Sequence, residues 1–392
     1  MPDFDVIVVG GGPSGSTAAL QAAKAGLKTI ILEKDRDIGY PVRCGEAVGD
    51  EGLRYFIPEP DPRWIAATIE RVRMRSPDNT ALTFDSPGKG YILHRRMFDF
   101  HLASLAAAAG SDIQTKAYVD GLLFEDGKVS GVEYQHFGER KRLTARVVIG
   151  ADGVESRVGR MAGLRTALKL ADTESGYQVS VGNVDVDQDV IDFFVGSNWA
   201  PGGYLWIFPK GEGMANIGLG VEGRFTRDHI SKELVHNFLK EHFPKAAVMT
   251  AVAGGIPVST ALKKMYTDGL LLVGDAARMV NPLSGGGIIS GMRGGEIAGQ
   301  LAVDAIQKGD TSAAAFKTYP ARWRKVAGKQ YERFYRIAQY VRELDDAYLD
   351  KIAHELVDVP AEKLSILKVF TTVARHKPAI LLEITRAYAN LL

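Results

Sequence analysis

A glycine-rich segment near the start of the chain restricts its fold more than any other feature. The segment GGGPSG at positions 10–15 directly follows a Val- and Ile-rich run at residues 4–9 and opens an alanine-rich stretch. That order predicts a buried strand, a tight turn and a helix. Gly10 permits the turn, Gly12 lets the backbone approach a phosphate group, and Gly15 allows the helix to pack closely on the strand.

An acidic residue completes this pattern at the end of the next predicted strand, residues 29–32. Glu33 lies 23 residues after Gly10, where a carboxylate accepts hydrogen bonds from ribose hydroxyl groups. The sequence therefore predicts a βαβ unit that binds a dinucleotide, in which the cofactor-binding residues are Gly10, Gly12, Ser14, Gly15 and Glu33. The alternative is a glycine-rich turn without a ligand.

Two later segments also place glycine and aspartate at the end of an apolar run. Asp152 follows the run VVIGA at 147–151, and Asp275 follows LLVG at 271–274. A further glycine cluster, SGGG at 284–287, comes shortly after Asp275. Taken singly, each of these segments is equally typical of a turn at the end of a strand in an α/β domain.

Other parts of the chain lack this alternation of strands and helices. Residues 68–84 and 173–259 contain short β-prone runs broken by glycine, which favour a mostly antiparallel sheet. Residues 311–392 are charged and show apolar residues at helical spacing. We therefore predict an α/β protein with a discontinuous dinucleotide-binding domain (1–67, 85–172 and 260–310), an inserted antiparallel-sheet substrate domain (68–84 and 173–259) and a helical C-terminal region (311–392).

Together the three glycine-containing segments resemble one family plan, that of the FAD-dependent reductases and aromatic hydroxylases with a glutathione-reductase-type fold. The resemblance covers residues 1–310 and implies FAD, held in a Rossmann-like domain of the type also found in p-hydroxybenzoate hydroxylase. It implies that Asp152 lies near the pyrophosphate and that Asp275 binds the ribityl chain. It also implies that the backbone amides of Gly287 and Ile288 contact the flavin ring, where a helix N-terminus favours negative charge.

Two further cofactor contacts are implied by the same resemblance. In the segment HRRMFD at 94–99, an arginine at the start of a helix contacts FAD; Arg96 occupies that position, with Arg95 as the alternative. Val119 falls where adenine is bound through the backbone.

The chain has no second G-x-G-x-x-G after a strand and no C-x₄-C pair, which argues against a disulfide reductase. The electron donor, NAD(P)H or a small redox protein, is therefore expected to bind only transiently.

Two motifs point to a narrower group within this family. PVRCGEA at 41–47 and PGGYLWIFP at 201–209, which has the pattern P-x-x-Y-x-W-x-F-P, resemble the geranylgeranyl reductases, most of all those of archaeal membrane ether-lipid synthesis. The resemblance implies a reductase that saturates C=C bonds of geranylgeranyl chains, with digeranylgeranylglycerophospholipids as the expected substrates. It also implies that the loop with Cys44, Gly45 and Ala47 lies beside the flavin.

Candidate substrate residues lie in the second of these motifs and in the helical region. Tyr204, Trp206 and Phe208 alternate along a predicted strand and therefore share one face. Such a face is either ordinary core or an apolar wall for a prenyl chain. Lys329 and Val369 are candidate substrate contacts in the helical region, although helices of this kind are more often purely structural.

Cys44, the single cysteine, is the candidate catalytic residue. An isolated alkene accepts hydride poorly, so a proton must reach its second carbon, and a thiol can donate or relay that proton. The alternative is that Cys44 is a small buried residue in a loop whose backbone contacts FAD.

Composition limits the other functions that the chain can have. Lys and Arg total 48 against 47 Asp and Glu, which argues against nucleic-acid binding. No apolar run approaches the ~18 residues of a membrane span, so we expect a cytoplasmic protein with peripheral contact to a membrane surface. One cysteine and scattered histidines predict no metal site.

Two rival functions are open. The first is an FAD-dependent aromatic monooxygenase or halogenase; residues 204–209 match in part the W-x-W-x-I-P pattern of the halogenases. The second is a non-catalytic prenyl-lipid carrier.

Overall fold

The structure of the chain is a computed structural model that describes residues 1–388. It contains two compact units, each with its own eight-stranded sheet. The first unit comprises Met1–Val42, Arg95–Leu168 and Ser259–Tyr331. The second comprises Arg43–His94, Lys169–Val258 and the chain from Glu332 onward.

The structure describes sixteen strands within residues 1–388. They are β1 (Phe4–Val9), β2 (Thr29–Leu32), β3 (Ala47–Gly49), β4 (Ile65–Arg75), β5 (Ala81–Leu93), β6 (Asp112–Gln114), β7 (Ala117–Glu125), β8 (Lys128–His136), β9 (Glu139–Gly150), β10 (Thr173–Gly182), β11 (Val190–Val195), β12 (Tyr204–Pro209), β13 (Met214–Glu222), β14 (Ala247–Pro257), β15 (Tyr266–Thr267) and β16 (Leu270–Leu272).

The α-helices become the dominant element after β16. They are α1 (Pro13–Lys24), α2 (Asp50–Phe56), α3 (Arg95–Ala108), α4 (Arg157–Met161), α5 (Ser231–His242), α6 (Ile288–Gln307), α7 (Ala313–Phe316), α8 (Tyr319–Trp323), α9 (Lys329–Val341), α10 (Asp346–Leu356), α11 (Ile366–Val373) and α12 (Pro378–Ala387). Within residues 1–388, none of these helices combines the length and the apolar composition that crossing a membrane requires.

The sheet of the first unit brings several loops to one edge. Its order is β15-β16-β9-β1-β2-β6, and β7 and β8 join it through β9. The central strands are rich in Val and Ile because both faces of this parallel region are buried. The parallel register aligns Val9 with Leu32 and Gly150, and Gly150 with Leu272. The loops after β1, β2, β9 and β16 therefore begin at the same edge of the sheet.

Helices α1 and α6 of the first unit pack together at backbone distance. An added Cβ at Gly295 would lie 2.2 Å from the Ser14 carbonyl oxygen, and one at Gly299 would lie 2.7 Å from the Ala18 carbonyl oxygen. A Cβ at Gly291 would lie 3.5 Å from the Ser14 side chain. Glycine at every fourth residue of α6 is therefore what allows the close approach of the two helices.

The second unit has a sheet with two different faces. Its order is β14-β10-β13-β12-β11-β4-β5-β3, and every pair except β11 with β4 is antiparallel. One face carries Leu205, Ile207 and Ile217, which form a core with Phe238 of α5. The alternation of β-strand side chains places Tyr204, Trp206 and Phe208 on the opposite face.

The predicted fold class is confirmed: an α/β protein with a Rossmann-like unit, a mostly antiparallel sheet and C-terminal helices. The limits of the two units differ from the predicted domain limits. β5 extends to Leu93 and pairs with β3 and β4, so residues 43–94 belong to the second unit. The C-terminal helices also belong there in large part, because Ile352 and Val369 pack against Val72 and Phe84 of the β4–β5 hairpin.

Candidate active site

The turn between β1 and α1 requires glycine at two positions. Gly10 has a φ of +107°, and an added Cβ would lie 2.3 Å from the Ala151 carbonyl oxygen. A Cβ at Gly15 would lie 2.0 Å from the Gly10 carbonyl oxygen. Both distances are far below van der Waals contact, so a side chain at either position would displace the main chain.

Gly12 differs from these two glycines because the space next to its α-carbon is open. No atom lies within 4 Å of an added Cβ, and its φ of −70° suits any residue. Gly12 is the N-cap of α1, which has no side-chain cap and begins with Pro13. The first N–H groups of α1, together with the partial positive charge of the helix end, therefore lie beside a space suited to a phosphate group.

Glu33 follows β2 at the same sheet edge and is fixed by main-chain donors. Its Oε2 accepts a hydrogen bond from the Gly11 N–H at 2.8 Å, and its Oε1 accepts one from the Asp35 N–H at 2.9 Å. Burial raises the pKa of Glu33, and these donors oppose the increase by stabilising the carboxylate. The Ala117 N–H donates to the Glu33 carbonyl oxygen at 2.8 Å, which places Val119 two residues further along β7.

Asp152 provides a buried oxygen atom without a partner. Its Oδ2 accepts a hydrogen bond from the Val158 N–H of α4 at 2.9 Å. Its Oδ1 is buried and has no hydrogen-bond partner within the described residues. Burial raises the pKa of Asp152. Because an unpaired buried polar atom costs about 1–3 kcal/mol, Oδ1 indicates a position that a donor from a bound group completes.

The loop before α6 brings Asp275 to the start of that helix. A Cβ at Gly287, the N-cap of α6, would lie 3.3 Å from Oδ1 of Asp275. The side-chain oxygen of Asn281 holds the loop by accepting the Leu283 N–H at 2.9 Å. Like α1, α6 begins without a side-chain cap. The N–H group of Ile288, the first residue of α6, can therefore donate a hydrogen bond to an acceptor on a bound group.

The two arginines at the start of α3 have different surroundings. Arg95 pairs with Asp99 through two N–O contacts of 2.7 and 2.8 Å, and its side chain is 14% exposed. Burial raises the pKa of Asp275, and the positive charge of Arg95 opposes that increase. Arg96 is 60% exposed and lies 3.2 Å from Asp37. These surroundings favour Arg95, the alternative named above, over Arg96 as a cofactor contact.

In the second unit, three predicted residues form a continuous aromatic face on β12. The ring centroids of Trp206 and Phe208 are 6.1 Å apart with a 30° angle between the planes, and those of Tyr204 and Trp206 are 5.8 Å apart. Phe193 of β11 contacts Tyr204 and Phe208 edge-on, at 5.2 and 5.7 Å. A Cβ at Gly218 would lie 2.6 Å from the Trp206 ring. Glycine on the neighbouring strand therefore makes room for the indole.

The loop with Cys44 packs on this aromatic face. The Cys44 carbonyl oxygen accepts a hydrogen bond from the Gln178 side chain at 2.9 Å, and Gln178 accepts one from the Trp206 indole at 3.0 Å. A Cβ at Gly45 would lie 2.7 Å from the Phe208 ring. The Cys44 side chain is partly exposed, and its Sγ accepts the Glu46 N–H at 3.2 Å.

A buried ion pair fixes the end of the Cys44 loop. Glu46 has a φ of +76°, and its carboxylate lies 2.8 Å from the Lys210 ammonium. Asn216 donates to the same carboxylate oxygen at 2.5 Å, and Lys210 also donates to the Leu93 carbonyl oxygen at 2.6 Å. Ala47, the next residue, is exposed and begins β3. These bonds hold the main chain on both sides of Cys44 in one conformation.

A cavity of about 490 Å³ also lies in the second unit. Its walls are the β4–β5 hairpin, the segment between β11 and β12, and the C-terminal helices. Val369 of α11, a predicted substrate contact, lines this cavity together with Gly203 and Arg342. Lys329, the other candidate from the helical region, is an exposed residue at the start of α9 in the first unit.

Comparison with known proteins assigns the chain to a family. Residues 5–211 match the model of the FAD dependent oxidoreductases, and residues 172–256 match that of the geranylgeranyl reductase catalytic domain. A digeranylgeranylglycerophospholipid reductase from Methanocella arvoryzae is 41% identical over 386 residues, which cover 97% of this chain and 98% of that protein. The chain belongs to the digeranylgeranylglycerophospholipid reductase family.

Solved structures agree with this assignment to the digeranylgeranylglycerophospholipid reductase family. A geranylgeranyl bacteriochlorophyll reductase-like protein from Thermoplasma acidophilum is 37% identical, with a TM-score of 0.89 and 99% of each chain covered. A myxobacterial chondrochloren halogenase is 20% identical, with a TM-score of 0.68, 99% of this chain and 96% of that chain covered. The similarity to the halogenase shows only a shared fold, so it gives no support to the rival halogenase function.

Membership of the digeranylgeranylglycerophospholipid reductase family confirms FAD as the cofactor. The first unit fits FAD on two observations of its own. The open space at Gly12 adjoins a helix N-terminus, and Oδ1 of Asp152 is buried without a partner. The first feature is typical of a site for a phosphate group, and the second requires a donor, which a hydroxyl group of FAD would supply.

The aromatic face of this family member is surrounded by six polar residues that were not predicted from the sequence. They are Glu46, Glu174, Gln178, Lys210, Asn216 and Arg342. One signal was available: Glu174 and Gln178 lie four residues apart in β10, so they share a face of that strand. The partners of these residues are far away in the sequence, and spacing alone does not reveal them.

The arginine assignment can be tested by FAD binding. Replacing Arg95 with Gln removes the charge that acts on Asp275, and we expect FAD affinity to fall about tenfold, or about 1.4 kcal/mol. Arg95→Lys keeps the charge and is expected to lose less. Arg96→Gln is the matched control and should bind FAD like the wild type. Fluorescence titration of the apoproteins measures all three, and a larger loss for Arg96→Gln would reverse the assignment.

Proposed function

We propose that this chain saturates the C=C bonds of geranylgeranyl chains in digeranylgeranylglycerophospholipids, as a step in membrane ether-lipid synthesis. The observation that carries this proposal is the aromatic face of Tyr204, Trp206 and Phe208 with the Cys44 loop packed on it. The family of the chain supports the same substrate class, because the relative from Methanocella arvoryzae is named as a reductase of this phospholipid.

The cavity of the second unit is suited to an apolar chain. Its volume of about 490 Å³ is within the usual range of ligand sites. Leu82, Ile352 and Val373 contribute apolar wall, and Val369, which is 5% exposed, is part of it. A prenyl chain bound there would gain about 25 cal/mol for each Å² of apolar surface removed from water. We therefore assign Val369 to substrate binding and leave Lys329 outside this site.

FAD, when reduced, supplies a hydride. The residues proposed to hold it are those of the first unit described above, with the backbone of Gly45 and Ala47. The chain itself must supply the proton that the second alkene carbon requires. Cys44 is suited to this task because its side chain is partly exposed and its loop is fixed by the Glu46–Lys210 pair. We propose that the Cys44 thiol donates the proton and is then reprotonated.

Two partners are proposed for this reaction. The first is the electron donor, NAD(P)H or a small redox protein. The second is the membrane surface that presents the phospholipid. Support for the second comes from α11, in which Val369 lines the cavity while the neighbouring Lys368 is exposed. The exposed segment Arg375–Lys377 adds further basic side chains after α11. Basic groups near a cavity for an apolar chain suit a phosphate-containing headgroup.

Single-turnover reduction tests the proposed function. Anaerobically reduced holoenzyme is mixed with digeranylgeranylglycerophospholipid in detergent, and oxidised flavin and product mass are recorded together. We expect the flavin to reoxidise while the lipid gains two hydrogen atoms for each double bond. The matched control is the same phospholipid with fully saturated chains, which should leave the flavin reduced.

Other outcomes of this experiment would identify the rival functions. Flavin that reoxidises only when oxygen is admitted, with an oxygen atom found in an aromatic product, would identify a monooxygenase. Lipid that binds without changing the flavin would identify a carrier. Either result would contradict the proposed reductase.

A further inference from the structure

The face of the second sheet that carries the aromatic residues also carries a buried carboxyl group. Glu174 in β10 and Glu222 in β13 are directly paired across the two strands, and both are buried. Arg342, which follows α9, donates to Oε1 of Glu174 at 3.0 Å. Arg224 pairs with Oε1 of Glu222, whereas Oε2 of Glu222 is buried without a hydrogen-bond partner. Two buried carboxyl groups thus lie side by side, one paired with the buried Arg342 and the other with the exposed Arg224.

Two glycines form a hollow that receives the Glu174 carboxyl group. A Cβ at Gly220 would lie 2.4 Å from Oε2 of Glu174, and one at Gly203 would lie 3.4 Å from its Cδ. Gly220 is the cross-strand partner of Tyr204, and Gly203 is its neighbour in the chain. The Glu174 side chain therefore extends over β13 toward Tyr204. Any side chain at position 203 or 220 would occupy that space.

The hollow borders the cavity described above. Arg342 donates to Glu174, and the space beside Gly203 is bordered by the Glu174 carboxyl group; both Gly203 and Arg342 line the cavity. Tyr204 lies on the same sheet face as Glu174 and Gln178, because Gly220 of β13 pairs with both Gly176 and Tyr204. Gln178 bonds to the Cys44 carbonyl oxygen and to the Trp206 indole, so the Cys44 loop packs on this face as well. Burial raises the pKa of the Tyr204 hydroxyl, and Glu174 and Cys44 raise it further.

We propose that Glu174 stores the proton for alkene reduction and passes it through the Tyr204 hydroxyl to Cys44. This inference rests on the proposed reductase function. When a C–H bond forms on the alkene, the Cys44 S–H bond breaks. The thiolate takes the Tyr204 proton, and Tyr204 takes the proton of Glu174. The hydride comes from reduced FAD, and the one net change in the protein side chains is a Glu174 carboxylate beside Arg342.

The charges around Glu174 suit a group that gains and loses a proton. Burial raises the pKa of Glu174 to about 7, Arg342 lowers it and Glu222 raises it. Tyr204 faces it from β12, and His229 lines the same cavity. Glu174 is therefore protonated below about pH 7 and ionised above it. Arg342 stabilises the carboxylate that remains after the proton leaves, and solvent in the cavity can restore the proton.

The test is the pH dependence of single-turnover lipid reduction by the holoenzyme. For the wild type, we expect the rate constant to fall as the pH rises through about 7, because the stored proton is lost. Glu174→Gln keeps the size and a hydrogen-bonding side chain but has no acidic proton. We expect it to react on the order of 100-fold more slowly, without the pH-dependent fall and with a changed solvent deuterium isotope effect.

Two controls separate this role from a structural one. Glu222→Gln removes a charge that raises the pKa of Glu174, so it should keep the fall but move it to lower pH. His229→Gln removes the histidine that lines the cavity and should leave the fall near pH 7. Flavin absorbance and thermal unfolding show that each variant is folded and holds FAD. If Glu174→Gln does not fold, the pH profile and the solvent isotope effect of the wild type decide whether Glu174 supplies the proton.

The outcomes distinguish this proposal from the proposed function. A wild type that reduces the lipid at a rate independent of pH would overturn the role of Glu174 alone. So would a Glu174→Gln variant with the wild-type rate and pH profile, or a Glu222→Gln variant that loses the fall instead. A wild type that reduces no prenyl lipid would overturn the reductase and the proton path together.

Discussion

A Gly12→Ala variant is expected to fold normally and to be purified without FAD. No atom lies within 4 Å of the added methyl group, and the backbone at Gly12 has φ −70°, which alanine adopts readily. Stability of the apoprotein should therefore change by no more than about 1 kcal/mol. The methyl group would fill the space beside the N-terminus of α1, so we expect FAD affinity to fall on the order of 100-fold, or about 2.8 kcal/mol.

Flavin absorbance and thermal unfolding of the apoprotein check both halves of this expectation. Gly49→Ala is a matched control, because Gly49 is also an N-cap with extended backbone and has nothing within 4 Å of an added Cβ. It should retain FAD. By contrast, Gly15→Ala should damage the fold itself, since its Cβ would lie 2.0 Å from the Gly10 carbonyl oxygen. A yellow Gly12→Ala protein would show that the phosphate groups lie elsewhere.

The second large effect is expected at Cys44. Replacing Cys44 with Ala removes the proposed proton donor, and we expect single-turnover alkene reduction to slow on the order of 1,000-fold. FAD content should be unchanged, because the loop is held by main-chain bonds and by the Glu46–Lys210 pair rather than by the thiol. Cys44→Ser, with a less acidic hydroxyl group, is expected to be nearly as slow. Stopped-flow absorbance and product mass give both rates.

The control for this prediction alters the loop without touching the thiol. Lys210→Met removes the ammonium group that pairs with Glu46 and should loosen the loop, so we expect a smaller loss of rate together with a lower thermal stability. Undiminished turnover by Cys44→Ala with FAD bound would remove the proposed role. Cys44 would then be a small residue whose neighbours alone matter.

The sheet edge that carries the predicted cofactor residues could be predicted from the sequence. Gly10, Glu33 and Asp152 each follow a short apolar strand, and parallel strands bring their carboxyl ends to one edge of a sheet. Local sequence therefore determined their spatial arrangement. The choice between Arg95 and Arg96 could not be made this way, because it depends on which face of α3 is buried. That face carries Phe98, Asp99 and Leu102 and is set by tertiary packing, including packing against α1.

The polar residues near Cys44 could not be predicted, for a different physical reason. Glu46 meets Lys210 across 164 residues of sequence, and Glu174 meets Arg342 across 168. Such pairs form only after the sheet has aligned β10, β12 and β13, and no periodicity marks them. The length of β5 was not evident from the sequence either: the strand continues through the mostly exposed, glycine-containing segment 85–90 to Leu93, so the compact units have other limits than the predicted domains.

The close packing of α1 on α6 has a consequence for the choice of flavin. Gly12 and Gly287 cap these two helices, and main-chain contacts at Gly295 and Gly299 fix their separation without adjustable side chains. A ligand must therefore supply acceptors at both helix ends at one set distance. FMN has the ring and a single phosphate but no pyrophosphate or adenosine, so it should satisfy one helix end at a time. We expect the protein to discriminate strongly between FAD and FMN, because this rigid separation adds to the predicted adenosine contacts of Glu33 and Val119.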